Sequence, residues 1–112
     1  MAEIDPLIED EGNELHIPFG ADLELASVLR GWLVGGKLNP DRAAEVVVDY
    51  SKLPFSRHEH VKFLPRILEL RHNVSAYDAA YIALVESLNA DLLTTDSRLA
   101  RAAAELGVSL AL

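Results

Sequence analysis

Three acidic side chains lie where predicted helices begin, and together they indicate a site for a metal ion. Asp78 is the single charge in the apolar stretch 76–85. Asp96 follows a short apolar and β-branched run, at the point where a predicted strand passes into a helix. Glu24 lies in the first turn of another predicted helix. Carboxylates gathered at such a place raise one another's pKa unless a cation lies between them.

The donor atoms of this set favour a hard cation. The chain has no cysteine and no convincing group of histidines, so the ligands would be carboxylate oxygens. Oxygen ligands select Mg²⁺ or Mn²⁺ over zinc. A hard divalent ion held by Asp and Glu is suited to hydrolysis of a phosphodiester, because it activates a water molecule and neutralises charge on the scissile phosphate.

Each acid also has a purely structural interpretation, and these alternatives stay open at this point. Ser75-x-x-Asp78 matches a capping box, which would close the start of a helix. Asp96 is a suitable N-cap for the helix that follows it. Asp22 and Glu24 would compensate the dipole of their own helix.

Weaker candidates surround the acidic set. His58-x-His60 would place two imidazoles on one face of a strand, but zinc needs three or four ligands, so a structural pair is favoured. Arg98 and Arg101 follow Asp96 closely and are the best-placed bases to hold a phosphate. Gly35-Gly36 lacks the Lys and Ser/Thr of a phosphate-binding loop.

The predicted elements alternate in a way that is typical of α/β layering around a small parallel sheet. They are a helix over 22–34 closed by two glycines, a helix opened by Asn39-Pro40, a strand over 53–58, a helix over 60–71, a helix over 76–88, a strand over 92–95, a helix over 97–105 and a strand over 108–110. Residues 15–19 are predicted to be an extended approach to the first helix. In such folds the site lies where the carboxyl ends of the strands meet helix N-termini.

Charge is unevenly distributed along the 112 residues, whose net charge is −8. Residues 1–14 hold six acidic side chains and no Lys or Arg, so they are predicted to form a separate acidic segment before a domain over 15–112. The remaining chain is close to neutral, which excludes a broad electrostatic surface for nucleic acid and suits a basic protein partner. No apolar run is long enough to span a membrane, and a cytoplasmic location is expected.

Several stretches resemble a PIN domain of the VapC toxin type. They are YDAAY (77–81), the following IALVESLNADLLTTD (82–96) and SRLARAAAELGV, together with ELHIPFGADLELASVLRG (14–31). The resemblance covers roughly residues 15–112. It implies a three-layer α/β/α fold with a parallel sheet, and Mg²⁺-dependent endoribonuclease activity (Mn²⁺ being a possible substitute). The implied partners are RNA, a VapB-like antitoxin and a second copy of the chain.

The resemblance also implies roles for individual residues. Glu24, Asp78 and Asp96 match three of the four acidic residues of the family's site, and would be metal ligands. Thr94 matches the threonine that orders the site by hydrogen bonding. The family's first, central strand ends in an aspartate that provides the remaining ligand, and no such strand is recognisable ahead of Glu14.

This departure leaves two expectations. The first is an active endoribonuclease toxin, and the second is a catalytically impaired, shortened PIN domain that retains antitoxin binding or dimerisation. A misplaced start codon or a shortened chain would also explain the missing strand. A receiver-like domain with an acidic Mg²⁺ pocket ranks lower, because it needs a lysine late in the chain and the last one is Lys62.

Overall fold

A computed structural model describes residues 14–111. Its elements, in chain order, are β1 (Leu15–Pro18), α1 (Gly20–Val34), α2 (Pro40–Ser51), β2 (Phe55–His58), a 3₁₀ turn (Val61–Phe63), α3 (Leu64–Glu69), α4 (Ala76–Leu88) and α5 (Ser97–Glu105). The predicted parallel α/β fold is confirmed. None of the helices in this part of the chain has the length and apolar character to cross a membrane. The predicted boundary between residues 14 and 15 stays a prediction, because residues 1–13 lie outside the described range.

The sheet begins with two parallel strands. β1 pairs with β2 from Leu15 opposite Phe55 to Pro18 opposite His58. The extended approach predicted over 15–19 is thus a strand that ends at Pro18. Proline has no N–H to donate, so it suits a strand end and would interrupt a longer central strand.

A second parallel pairing joins the two later extended segments. Leu92 forms a single bridge with Leu110. The N–H of Leu92 donates to the carbonyl of Ser109 over 2.9 Å, and the N–H of Ala111 donates to the carbonyl of Leu92 over 3.0 Å. The predicted strands over 92–95 and 108–110 are therefore wrong in extent. Within the described residues no further strand pairs with segment 92–95, so the pairing there stays limited to the single Leu92–Leu110 bridge.

Local sequence signals set most helix ends as predicted. The Asn39 side chain accepts a hydrogen bond from the N–H of Arg42 over 2.7 Å, and Pro40 occupies the first turn of α2. Gly36 (φ 72°) and Gly107 (φ 81°) adopt the left-handed conformation two residues after the last residue of α1 and of α5. The helix predicted over 60–71 is instead a 3₁₀ turn followed by the short α3. Pro65 lies in the first turn of α3, where the missing N–H costs nothing.

The core is built around α4. Ala79 and Ile82 are completely buried, whereas Tyr77 is 68 % exposed. The apolar spacing of the helix would place Tyr77 on its buried stripe, but Tyr77 lies in the first turn and stays exposed. The side chains packed together are apolar and come mainly from α3, α4 and α5, with one from the extended segment that follows α4. They are Phe63, Ile67, Leu70, Ala79, Ala80, Ile82, Ala83, Leu84, Leu92, Leu99 and Ala103.

Candidate active site

Asp78 is held in the first turn of α4 by its own backbone. Its N–H donates to the Ser75 hydroxyl over 3.2 Å, which is the N-cap half of the predicted capping box. The Asp78 side chain is half-buried. Its carboxylate accepts no hydrogen bond from any other described residue, and it lines an open cavity. The cap therefore uses the Asp78 backbone, and within residues 14–111 both carboxylate oxygens are available for another ligand.

Asp96 is the N-cap of α5, as its structural interpretation predicts. One oxygen, Oδ1, accepts from the N–H of Arg98 over 2.9 Å and from the N–H of Leu99 over 3.3 Å. The Thr94 hydroxyl accepts from the Asp96 N–H over 3.0 Å. These bonds fix the orientation of the Asp96 carboxyl group. Its second oxygen accepts no bond within residues 14–111, so capping and ligand binding are compatible in this residue.

Asp78 and Asp96 meet in one cavity of about 470 Å³. Arg98 and Arg101 of α5 line the same cavity. The sequence places these two carboxylates at the starts of different helices, α4 and α5. In the fold, the N-termini of both helices line this cavity. The cavity thus combines anionic oxygens that attract a cation with guanidinium groups that attract a phosphate.

Glu24 lies beside this cavity and not within it. It lines a smaller depression of about 170 Å³ together with His60 and Tyr77. Burial raises the pKa of the Glu24 carboxyl, and the charge of Asp78 raises it further. The nearby Tyr81 hydroxyl lowers the pKa of Glu24 and so acts in the opposite direction. The charge of Asp78 thus acts on Glu24, although the two side chains line different cavities.

The three carboxylates do not form a closed ligand set. Among residues 14–111 no group of three His, Cys, Asp or Glu side chains lies close enough to hold a metal ion. Asp78 and Asp96 line the same cavity, whereas Glu24 lines a different one. The donor chemistry still fits a hard divalent cation, because every candidate ligand is an oxygen.

His58 and His60 each have a structural partner. Nε2 of His58 lies 2.8 Å from Nδ1 of His16 on the neighbouring strand. Nε2 of His60 accepts a hydrogen bond from the N–H of Gly20 over 3.0 Å. His58 and His60 contact different partners, so their imidazoles do not lie on one face of a strand as the sequence would allow. The structural interpretation of this pair is therefore favoured.

Two contacts near the site had no signal in the sequence. Burial and the charge of nearby Glu24 raise the pKa of the Tyr81 hydroxyl in α4 well above its usual range. Asp22 is bonded to Tyr50 and Arg57. Spacing rules act within one element, so they do not pair residues from elements that lie far apart in the chain.

Comparison with known proteins decides the family. The sequence model of the PIN domain matches residues 2–105. The chain belongs to the PIN domain family. This PIN domain is 40 % identical over 85 residues to the VapC ribonuclease Mb0985 of Mycobacterium bovis, an alignment that covers 76 % of the chain and 67 % of the relative.

More distant relatives carry similar names. Ribonuclease VapC12 of Mycobacterium tuberculosis is 33 % identical over 90 residues, which is 80 % of this PIN domain and 70 % of the relative. Ribonuclease VapC3 of Pyrobaculum aerophilum is 33 % identical over 94 residues, which is 80 % of this chain and 72 % of the relative. The resemblance to VapC-type PIN domains is thereby confirmed.

Proposed function

We propose that this PIN domain is a metal-dependent endoribonuclease, the toxin of a VapBC-type toxin–antitoxin pair. One observation carries the proposal: Asp78 and Asp96 line one cavity together with Arg98 and Arg101. The names of the VapC relatives support RNA as the substrate. The resemblance to VapC-type toxins supports a VapB-like antitoxin as a partner.

The carboxylates of Asp78, Asp96 and Glu24 would hold Mg²⁺, with Mn²⁺ as a possible substitute. A bound divalent ion supplies Lewis acidity to a phosphate and lowers the pKa of a water ligand. The α5 cap holds Asp96 in a fixed orientation through two backbone donors, and Thr94 supports the preceding turn. Arg98 and Arg101 would bind the RNA phosphate in the same cavity. Ionisation of Glu24, which burial and Asp78 oppose, would become favourable beside a cation.

The test is RNA cleavage by the wild type and by Asp78→Asn, in EDTA and with added Mg²⁺ or Mn²⁺. The wild type should cleave only with metal, and Asp78→Asn should lose at least about a hundredfold in rate, the scale of losing one electrostatic group at a reacting centre. Asp49→Asn, an exposed position on α2, is the matched control and should cleave like the wild type. Equal cleavage by Asp78→Asn and wild type would reject the assigned site.

A second candidate is a catalytically impaired PIN domain that still binds its antitoxin or forms a homodimer. It is favoured by the lack of a three-ligand group among the described residues. Trp32 and Leu23 on α1 are 50 % and 75 % exposed, so this helix offers apolar area to another protein. Calorimetric titration separates the two candidates: partner binding without measurable Mg²⁺ binding favours the impaired form. Either form would act in the cytoplasm.

A further inference from the structure

The start of α1 is capped by a side chain from a distant part of the chain. The first N–H groups of a helix have no acceptor within the helix, and the side chain of the N-cap residue normally accepts from one of them. Phe19 is the N-cap of α1, and its side chain makes no such bond. The N–H of Gly20 instead donates to Nε2 of His60 over 3.0 Å. His60 thus caps the helix from 40 residues further along the chain.

The paired strands lead directly into this contact. β1 pairs with β2 as far as Pro18 opposite His58, and the N–H of Phe19 then donates to the carbonyl of His58 over 2.9 Å. The next N–H, that of Gly20, reaches the imidazole two residues further along the partner segment. The bond that fixes the first residue of α1 therefore continues the bonding between the two strands.

The contact leaves little room for a side chain at residue 20. A Cβ atom on Gly20 would lie 3.2 Å from Cε1 and 3.4 Å from Nε2 of His60. The first distance is shorter than most contacts of Cβ atoms, so the imidazole would have to move. A Cβ atom on Gly31, the other glycine of α1, would meet nothing from another element within 4 Å. The close packing therefore belongs to the Gly20–His60 contact and not to the helix as a whole.

His60 lies between two turns that carry proposed metal ligands. Gly20 and Glu24 are about one helical turn apart and lie on the same side of α1. Both line the depression of about 170 Å³ that His60 also lines. Tyr77, from the first turn of α4, lines it too, and the same turn carries Asp78. A displacement of His60 would therefore change the position of Glu24 relative to Asp78.

We propose that His60 is a positioning residue for Glu24. By accepting from the Gly20 N–H, its imidazole fixes the first turn of α1, and with it the distance between the carboxylates of Glu24 and Asp78. This role rests on the proposed function, because it requires both carboxylates to bind the same cation. It needs an acceptor at the position of Nε2 and no bond from the imidazole to the metal. Loss of a residue that orients a metal ligand typically costs about 10–100-fold in metal affinity.

The first experiment measures Mn²⁺ binding by calorimetry for the full chain and for two variants of His60. His60→Gln keeps a hydrogen-bond acceptor near the position of Nε2, whereas His60→Leu has none. His60→Leu should bind Mn²⁺ at least about tenfold more weakly than the wild type. His60→Gln should bind Mn²⁺ nearly as tightly as the wild type. Hydrogen exchange at the Gly20 amide should be accelerated only in His60→Leu.

A second pair of variants tests the contact from the side of the helix, with the imidazole left in place. Gly20→Ala places a methyl group against His60, and Gly31→Ala is the same substitution in the same helix without that contact. Only Gly20→Ala should weaken Mn²⁺ binding. When Gly20→Ala and His60→Leu are combined, the two losses of affinity should not add, because both act through one contact.

RNA cleavage separates this role from a general loss of stability. In His60→Leu the kcat at a fixed, subsaturating Mn²⁺ concentration should fall. The KM for RNA should stay unchanged, because Arg98 and Arg101 line the other cavity. Circular dichroism confirms that each variant folds.

Several results would overturn the proposal. Equal Mn²⁺ affinity of the wild type and His60→Leu would show that the site does not depend on this imidazole. Weak binding by both His60 variants, with normal binding by Gly20→Ala, would show that the imidazole acts on the metal directly. Additive losses in the combined variant would show that the two residues act separately. Absence of Mn²⁺ binding by the wild type would instead reject the metal site of the proposed function, and the role of His60 with it.

Discussion

Asp22 in the first turn of α1 is joined to Arg57 in β2 by two hydrogen bonds. Nε of Arg57 lies 2.7 Å from Oδ2 of Asp22, and Nη2 lies 2.9 Å from Oδ1. The hydroxyl of Tyr50 in α2 donates to the same Oδ1 over 2.6 Å. Asp22 thus ties the start of α1 to two other elements, two residues before Glu24. Asp22 therefore holds the first turn of α1 against α2 and β2, in addition to compensating the helix dipole as its position predicts.

Asp22→Asn should lower the stability of the domain, because it removes the charge from a two-point ion pair. The hydrogen bonds from Arg57 and then Tyr50 lower the pKa of the Asp22 carboxyl. A carboxyl with a depressed pKa contributes stability above its unfolded-state pKa and loses that contribution as the pH falls through its folded-state pKa. Urea unfolding should therefore show a gap between the wild type and Asp22→Asn at pH 7 that closes below about pH 4.

Tyr50→Phe provides the comparison for this effect. This substitution removes one neutral donor and leaves the Asp22–Arg57 pair in place. At pH 7 it should therefore lower the free energy of unfolding by less than Asp22→Asn does. A constant gap between the wild type and Asp22→Asn from pH 7 to pH 2 would contradict the prediction.

Substitutions of Asp96 should separate helix capping from ligand binding. Asparagine is as good an N-cap as aspartate, so the free energy of unfolding of Asp96→Asn should lie within about 0.5 kcal/mol of the wild-type value. Asp96→Ala loses the acceptor of two backbone donors and should cost about 1 kcal/mol. Both variants lack the carboxylate and should lose metal-dependent cleavage to the same extent. Full activity in Asp96→Asn would show that Asp96 is only a cap.

Glu24→Gln should stabilise the metal-free domain at neutral pH. Burial and Asp78 raise the pKa of Glu24, so its ionised form is unfavourable in the folded state. The destabilisation develops as the pH rises through the unfolded-state pKa, and it is complete above the folded-state pKa. In EDTA at pH 7 the melting temperature of Glu24→Gln should exceed that of the wild type by about 2 °C or more.

Added Mg²⁺ should reverse this order, because a cation favours the ionised carboxylate. The wild type should then gain more in melting temperature than Glu24→Gln. Glu59→Gln, an exposed position after β2, is the control and should respond to Mg²⁺ like the wild type. An equal Mg²⁺ response in Glu24→Gln would remove Glu24 from the proposed ligands.

Arg98→Gln and Arg101→Gln should weaken RNA binding more than they slow the chemical step. Both side chains line the cavity of Asp78 and Asp96. Loss of one phosphate contact should raise KM several-fold and reduce the slope of log affinity against log salt by about 0.7, the value for single strands. Arg30→Gln, at an exposed position on α1, should change neither quantity. An unchanged salt slope in both cavity variants would show that neither arginine contacts the RNA.

Local signals in the sequence predicted features whose causes are local. A cap is decided by a side chain and the backbone within three residues of it, so Asn39, Ser75 and Asp96 could be recognised from spacing alone. The two glycines after α1 and a strand over 53–58 were predicted for the same reason, and the structure forms that strand over Phe55–His58. The motifs at Glu24, Asp78 and Asp96 were sufficient to recognise the family, which the match over residues 2–105 confirms.

Other features depend on which elements become neighbours. The apolar pattern of α4 could not tell Ile82, which is completely buried, from Tyr77, which is 68 % exposed, because both sides of the helix are apolar. The segment predicted as a strand over 92–95 has the composition of a strand, but a β-ladder needs a partner strand beside it. Among the described residues only Leu92 of this segment has such a partner.

The sequence by itself determined the helix caps, the α/β class, the family and the oxygen chemistry of the candidate site. Only the tertiary structure decided that Asp78 and Asp96 share a cavity with Arg98 and that Glu24 lies beside it. The physical reason is one of range. Caps and periodicity act over one or two helical turns, whereas the convergence of carboxylates and the pairing of strand edges depend on how distant segments pack.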